Sequence, residues 1–467
     1  MNQKFFLVTV FFLISLGSFS QKQQKLQKPY VDERVELLSI IFRLAESEEY
    51  SSNLFKKYTD KIYNHYNLYK NHELIDFIKK IRNENGVSYD AVMSMAIHLD
   101  KNFNPIVPFS DTIPDVRWGK GNAYKFIELL HLFYKDSNSK DFFKQNENFY
   151  ENISDSFLPI FNKLNAGWYK SFYGKEANES FKIIIGLGIG GGNYGPSVTL
   201  KNGEKEVYAI MGTWNTNHEG MPEFKISSYF PTLVHEFNHS FINYILEKNE
   251  NPFKESCQTL FLSVKDKMNQ GGYGDWQTLF NEALVRAAVI KYMKDNNFTI
   301  EEINLEINEQ LNRGFVWIED LVSKLEEYDT NRKQYPTLES YYPILADSYK
   351  EYAKNIDKMI LKVEKLKPRL VSISEFNNGD TNVNSNLKQI TLNFDKPFSE
   401  VNFLRPTDEN AAFPEFTNLT YSENRESITL TCNLNANTEY KMVLVGLSPR
   451  SISEIPQDYI ISFKTEK

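Results

Sequence analysis

Cysteine is nearly absent from this chain: 467 residues hold two, Cys257 and Cys432, too few for a disulfide framework. They lie far apart in sequence, and each reads as a small buried hydrophobe rather than half of a bridge. Positive charge is not in excess either. A net charge of -8 gives no electrostatic footprint for nucleic acid, which is not expected as a partner. Beyond the first twenty residues, no run approaches the ~18 apolar residues of a membrane helix, so no integral membrane segment is expected. Histidine is scarce as well, at seven.

Two of those seven fall in His235-Glu236-Phe237-Asn238-His239. Histidines four apart on a helix project from one face and can hold a single zinc ion, which makes the chain a candidate zinc hydrolase. Glu236, one position past the first ligand, is placed to accept a proton from the attacking water, the role of a general base. The flanks predict one buried helix over roughly 227 to 248, with Ser227 and Ser228 as cap candidates and Pro231 suited to a first turn. The alternative is two histidines satisfied by hydrogen bonds inside a packed helix.

Zinc needs a third protein ligand, with a fourth position kept for water. A metzincin would place a histidine six residues after His239, where this chain has Ile245, and no histidine follows His239 at all. The third ligand is then a carboxylate or one of the two cysteines. Trp276 to Ile290 reads as a second apolar helix with an Asn281-Glu282-Ala283 step, and Glu282 is the best candidate. His65, His72, His98 and His131 sit in helical patterns and read as structural, whereas His218 lies in a loop ahead of the motif.

A His-Glu-x-x-His helix followed by a separate Asn-Glu helix resembles the gluzincin metallopeptidases. The resemblance implies zinc held by His235, His239 and Glu282, with Glu236 as base. Two departures stand out. Glu282 follows His239 by 43 positions, longer than usual in that branch, so an insertion such as Asn251 to Trp276 is expected to loop out. Thermolysin-like enzymes carry an aspartate four residues after the third ligand; this chain has Arg286, which would either brace Glu282 or bind a substrate carboxylate. Gluzincins also supply a tyrosine or histidine from a later helix to stabilise the oxyanion. By chain order Tyr341 and Tyr342 are best placed for it. The segments Arg34 to Leu38, His235 to His239 and Glu282 to Ala287 are similar, across roughly residues 30 to 360, to a family of secreted bacterial proteins known only as a domain of unknown function.

The chain divides into four parts. Residues 1–20 read as a secretory signal, with Lys4, an apolar run from Phe5 to Leu16, and Ser18 and Ser20 ahead of a cut before Gln21. Residues 21–180 read as an N-terminal helical region. Residues 181–367 read as a zincin-like core, in which strands near 181–185, 197–200 and 206–211 precede the metal helix. In zincins a sheet edge there binds extended substrate. A Gly186-x-Gly188-x-x-Gly191 match to the dinucleotide fingerprint is rejected, because a strand rather than a helix should follow it. Residues 368–467 alternate at strand period and read as a β-sandwich, with Phe394-Asp395-Lys396-Pro397 and Phe463-Lys464-Thr465 resembling bacterial Ig-like modules.

The expected fold is therefore α+β, a predominantly helical zincin-like domain followed by an all-β Ig-like sandwich. The expected function is that of a zinc metallopeptidase, secreted, periplasmic or at the cell surface, acting on a protein or peptide substrate. The tail would offer a contact for glycans or the cell surface. The alternative is a catalytically degenerate zincin retained as an extracellular binding or adhesion module.

Overall fold

The computed structural model describes residues 26–175, 179–248, 250–366, 368–398, 403–407, 411–445 and 459–467. The expected signal segment lies outside them. Among the described residues, eight helices come first: α1 (Glu33–Leu44), α2 (Lys56–Tyr66), α3 (Glu73–Asn85), α4 (Asp90–Ile97), α5 (Gly119–Asp136), α6 (Ser139–Ser156), α7 (Leu158–Asn162) and α8 (Ala166–Tyr173). Local chemistry sets several of their ends. Asp32 caps α1 by accepting from the Arg34 amide at 2.9 Å, and His72 caps α3 through Nδ1, accepting from the Leu74 amide at 3.1 Å. Such caps contribute about 1 kcal/mol each. Gly86 closes α3 at φ 71°, a left-handed conformation that glycine adopts without strain.

A small sheet follows, built from β1 (Glu179–Gly186), β2 (Asn193–Tyr194), β3 (Ser197–Thr199) and β4 (Lys205–Gly212). β4 is central: β1 pairs with it in parallel, β2 and β3 antiparallel on its other side. The outer edge of β1 is met by Tyr30, whose amide donates to the Ile183 carbonyl at 3.2 Å. The glycine-rich stretch after β1 leads into β2 and β3, with no helix. A dinucleotide turn has no place there.

Helices α9 (Ile226–Lys248), α10 (Asn251–Ser263), α11 (Lys265–Gln270), α12 (Trp276–Asp295), α13 (Ile300–Asn312), α14 (Ile318–Thr330) and α15 (Tyr342–Glu364) complete this part. Two details differ from the expectation. Pro231 sits inside α9 rather than in its first turn, so the Ser227 carbonyl four residues back lacks its intrahelical donor. The stretch between the two expected ligand helices does not loop out. Phe253, Cys257, Leu260 and Phe261 recur at helical spacing, are buried, and make α10 a packed helix that sits against both α12 and α15.

One hydrophobic cluster runs from Val35 to Val363, so the helices before the sheet and those after it share a core. The tail has its own cluster. There β5 (Leu370–Ile373), β6 (Gln389–Phe394), β8 (Glu415–Tyr421) and β9 (Ser427–Asn433) form one sheet in the order β5-β6-β9-β8, and β7 (Phe403–Pro406), β10 (Glu439–Val445) and β11 (Tyr459–Lys464) form another. Ile390, Leu392 and Phe394 alternate inward, as do Ile428, Leu430 and Cys432. Both cysteines are buried and free, Cys257 in α10 and Cys432 in β9. The fold is thus α+β and mostly helical, and among the described residues no helix is long and apolar enough to cross a membrane.

Candidate metal centre

α9 and α12 lie side by side, and buried polar bonds set their register. Asn238, fully buried on the inner face of α9, donates to the Val285 carbonyl of α12 at 3.4 Å and accepts from the Tyr173 hydroxyl of α8 at 3.0 Å. His235 and His239, beside Asn238 on the same side of α9, thereby face Glu282. His235 Nε2 and His239 Nε2 lie 3.0 Å apart, His235 Nε2 is 3.6 Å from Glu282 Oε2, and His239 Nε2 is 3.5 Å from Glu282 Oε1. A tetrahedral zinc with Zn–N near 2.05 Å separates its ligand atoms by about 3.3 Å. The three groups therefore fit a metal ion.

Their protonation agrees with the fit. His239 Nδ1 lies 3.0 Å from Asn243 Oδ1, one turn on; with the proton held there, Nε2 presents its lone pair toward His235. Two such lone pairs at 3.0 Å repel unless a proton or cation lies between them. Burial pushes His235 well below the usual histidine range, leaving it neutral, as a ligand must be. Glu282 is different. Burial opposes its charge, but Arg286, together with either histidine whenever it carries a proton, outweighs it and holds the carboxyl below its usual range. Of these only Arg286 is always charged; its Nη2 donates to Glu282 Oε2 at 2.8 Å, so Arg286 does brace Glu282.

Glu236 and His235 open onto a cavity of about 610 Å³, within the range of ligand pockets. Asn193 and Trp214 line the sheet side, Ser227, Ser228, Pro231 and Thr232 the start of α9, and Glu306, Glu309, Gln310 and Arg313 the α13 side. Glu236 is buried enough for its carboxyl to be pushed up, His239 and Arg286 only partly opposing this. The chain just after β2 presses on it: a Cβ on Gly195 would collide with Glu236 Oε2.

His235, Glu236, His239 and Glu282 are thus brought together, whereas Tyr341 and Tyr342 are not. Tyr341 is fully buried with its ring 4.9 Å from that of Tyr335 and 5.6 Å from that of Tyr328, and Tyr342 packs on Phe253 at 5.8 Å. Neither lines the cavity. The helical insert is the reason, since α15 packs on α10 rather than directly along α12. The tyrosine that does line the cavity is Tyr273, whose hydroxyl accepts from Arg286 Nη2 at 2.5 Å. It sits in Gly271-Gly272-Tyr273-Gly274, just ahead of the helix that carries Glu282, and that glycine-flanked aromatic was the signal available in the sequence.

The remaining histidines have structural places. His98 Nδ1 bonds the Ser94 carbonyl at 2.7 Å, His65 Nε2 the Ser137 carbonyl at 2.8 Å, and His72 caps α3. His131 is exposed on α5, and the His218 side chain is 90% exposed, away from the cavity lining.

No curated protein matches the sequence. Among solved structures the chain is similar to surface layer protein SbsC, domains 1-6, at 12% identity and a TM-score of 0.18, over 55% of this chain and 35% of that one. It is also similar to the N-terminal part of the bacterial S-layer protein SbsC, at 13% identity and a TM-score of 0.17, over 51% of this chain and 58% of that one. The chain thus spans less than two thirds of each of these solved chains. A family description, DUF4932, "Domain of unknown function", matches residues 30–347, which contain α1 to α14, the sheet and the whole of the candidate metal centre, and the chain therefore belongs to the DUF4932 family.

Proposed function

We propose that this protein is a secreted zinc metallopeptidase, with His235, His239 and Glu282 as metal ligands and Glu236 as general base. The observation that carries the reading is the convergence of these three ligand groups from two helices, all within 4.8 Å of one another, with His235 at the wall of a cavity that Glu236 also lines. Zinc, when bound there, supplies a Lewis acid and makes water a nucleophile near neutral pH. The rest of the chemistry belongs to the chain. Glu236, with its carboxyl raised by burial, accepts the proton of the attacking water and returns it to the leaving amine. Tyr273 takes the part expected of Tyr341 or Tyr342: its hydroxyl lines the cavity, accepts from Arg286 and stands beside the Glu282 carboxylate, from where its proton turns to the carbonyl oxygen of the scissile bond. The Ser227 carbonyl, freed by Pro231, offers an acceptor to the substrate backbone. The tail, on this reading an Ig-like module, spaces the enzyme from the cell surface or a glycan and adds no chemistry.

The test pairs two variants. Glu236→Gln keeps its zinc, measured by elemental analysis, and loses about 10²- to 10⁴-fold in chelator-sensitive peptide cleavage. His235→Ala loses the metal as well. Near-normal turnover by Glu236→Gln would sink the mechanism.

A further inference from the structure

The cavity beside the metal centre holds one more charge than this chemistry uses. Each arginine in it is matched by a carboxylate four residues away: Arg286 Nη2 lies 2.8 Å from Glu282 Oε2, and Arg313 Nη2 lies 2.8 Å from Glu309 Oε1. Glu236 is the proposed base. What remains is Glu306, on the face of α13 that lines the cavity. Its carboxylate accepts from Gln310 Nε2 at 2.6 Å and forms no ion pair with any described residue. Gln310 is itself fixed, because its Oε1 accepts from Arg286 Nη1 at 3.0 Å. A chain of three hydrogen bonds, Glu306 to Gln310 to Arg286 to Glu282, thus holds this carboxylate in place relative to the third ligand.

A half-buried carboxylate without an ionic partner is costly unless a cation joins it. Burial pushes the Glu306 carboxyl up, and Arg286 and Arg313 only partly oppose this. A ligand bringing positive charge into the cavity removes the cost. We propose that Glu306 determines specificity by receiving the cationic side chain, lysine or arginine, of a residue next to the bond that is cut. The proposal rests on the peptidase reading for the cleavage step, and on the cavity alone for binding.

The experiment uses the full chain carrying Glu236→Gln and a pair of peptides identical except for lysine or norleucine at one position, each with a free or an acetylated N-terminus. Calorimetry with the acetylated pair is expected to give about tenfold tighter binding of the lysine peptide, as for a hydrogen bond to a charged partner. Adding Glu306→Gln abolishes the difference, whereas Glu306→Asp, which keeps the charge, retains its sign and serves as the control for folding. Equal affinities for the two peptides, no binding of either, or a lysine preference that survives Glu306→Gln overturns the proposal. A preference that depends on the free α-amine and not on lysine overturns the side-chain assignment in favour of the amine. Cleavage by the wild type, with and without chelator, separates the two readings: a lysine preference in binding with no chelator-sensitive cleavage refutes the peptidase and leaves Glu306 as a cation site.

Discussion

Replacing Glu36 by glutamine is expected to remove a pH dependence from the stability of the fold. Glu36 is fully buried in α1, where Oε1 accepts from the Leu187 amide at 2.7 Å. Its Oε2 has no well-formed hydrogen bond; burial favours the protonated acid and outweighs the Leu187 amide, Tyr58 hydroxyl and Gly188 amide, whose N–H and O–H groups favour the carboxylate. Burial pushes the carboxyl from an ordinary 4.5 up to about 7. Because the folded chain holds this proton more tightly than the unfolded chain, its contribution is complete below pH 4.5 and is lost as the pH rises through about 7. At ~1.4 kcal/mol per pH unit, the whole effect is about 3 kcal/mol. Between about pH 5 and about pH 8 the wild type loses roughly 2–3 kcal/mol that Glu36→Gln, neutral throughout, does not lose. Denaturant titrations of both proteins across that range read the difference directly. Parallel stability profiles would refute the reasoning.

Three other outcomes can be checked alongside it. Gly195→Ala is expected to keep the metal but lose about tenfold or more in turnover, because the new methyl displaces the Glu236 carboxylate; unchanged turnover on a chelator-sensitive substrate would contradict the contact. Asn243→Ala removes the partner of His239 Nδ1, and a chelator competition is expected to report about 10- to 100-fold weaker metal binding. Removing residues 371–467 takes away a part with its own hydrophobic cluster, so metal content and small-peptide hydrolysis persist; their loss would mean that the tail completes the catalytic unit.

How much of this could be read from the sequence depended on how local each feature was. His235, Glu236 and His239 follow from helical spacing alone, and Asn243, one turn after His239, obeys the same rule. Glu282 came from elimination, since no later histidine was available, and the two helices do carry it to the histidines. Chain order was a poor guide to the tyrosines, because α10 intervenes between α15 and the ligand helix. The helicity of α10 was nonetheless visible in the spacing of Phe253, Cys257, Leu260 and Phe261; the expected loop came from the usual gap in similar enzymes. Tyr273 and Glu306 reach the cavity through packing between elements, on which a single sequence is silent. The tail strands near 390, 428, 441 and 461 were clear because alternation is a property of each strand by itself.

The helix inserted between the two ligand-bearing helices gives the site a position in the order of synthesis. α12 packs on α9 and on α10, and α10 packs in turn on α15, which ends at Glu364. A chain emerging from its N-terminus has exposed both histidines and Glu282 about eighty residues before the last helix that buttresses them is complete. The ligands exist early and their geometry late. On the proposed metal reading, loading would wait for α15, because a nascent polypeptide carries His235, His239 and Glu282 without the rigid spacing that selects an ion.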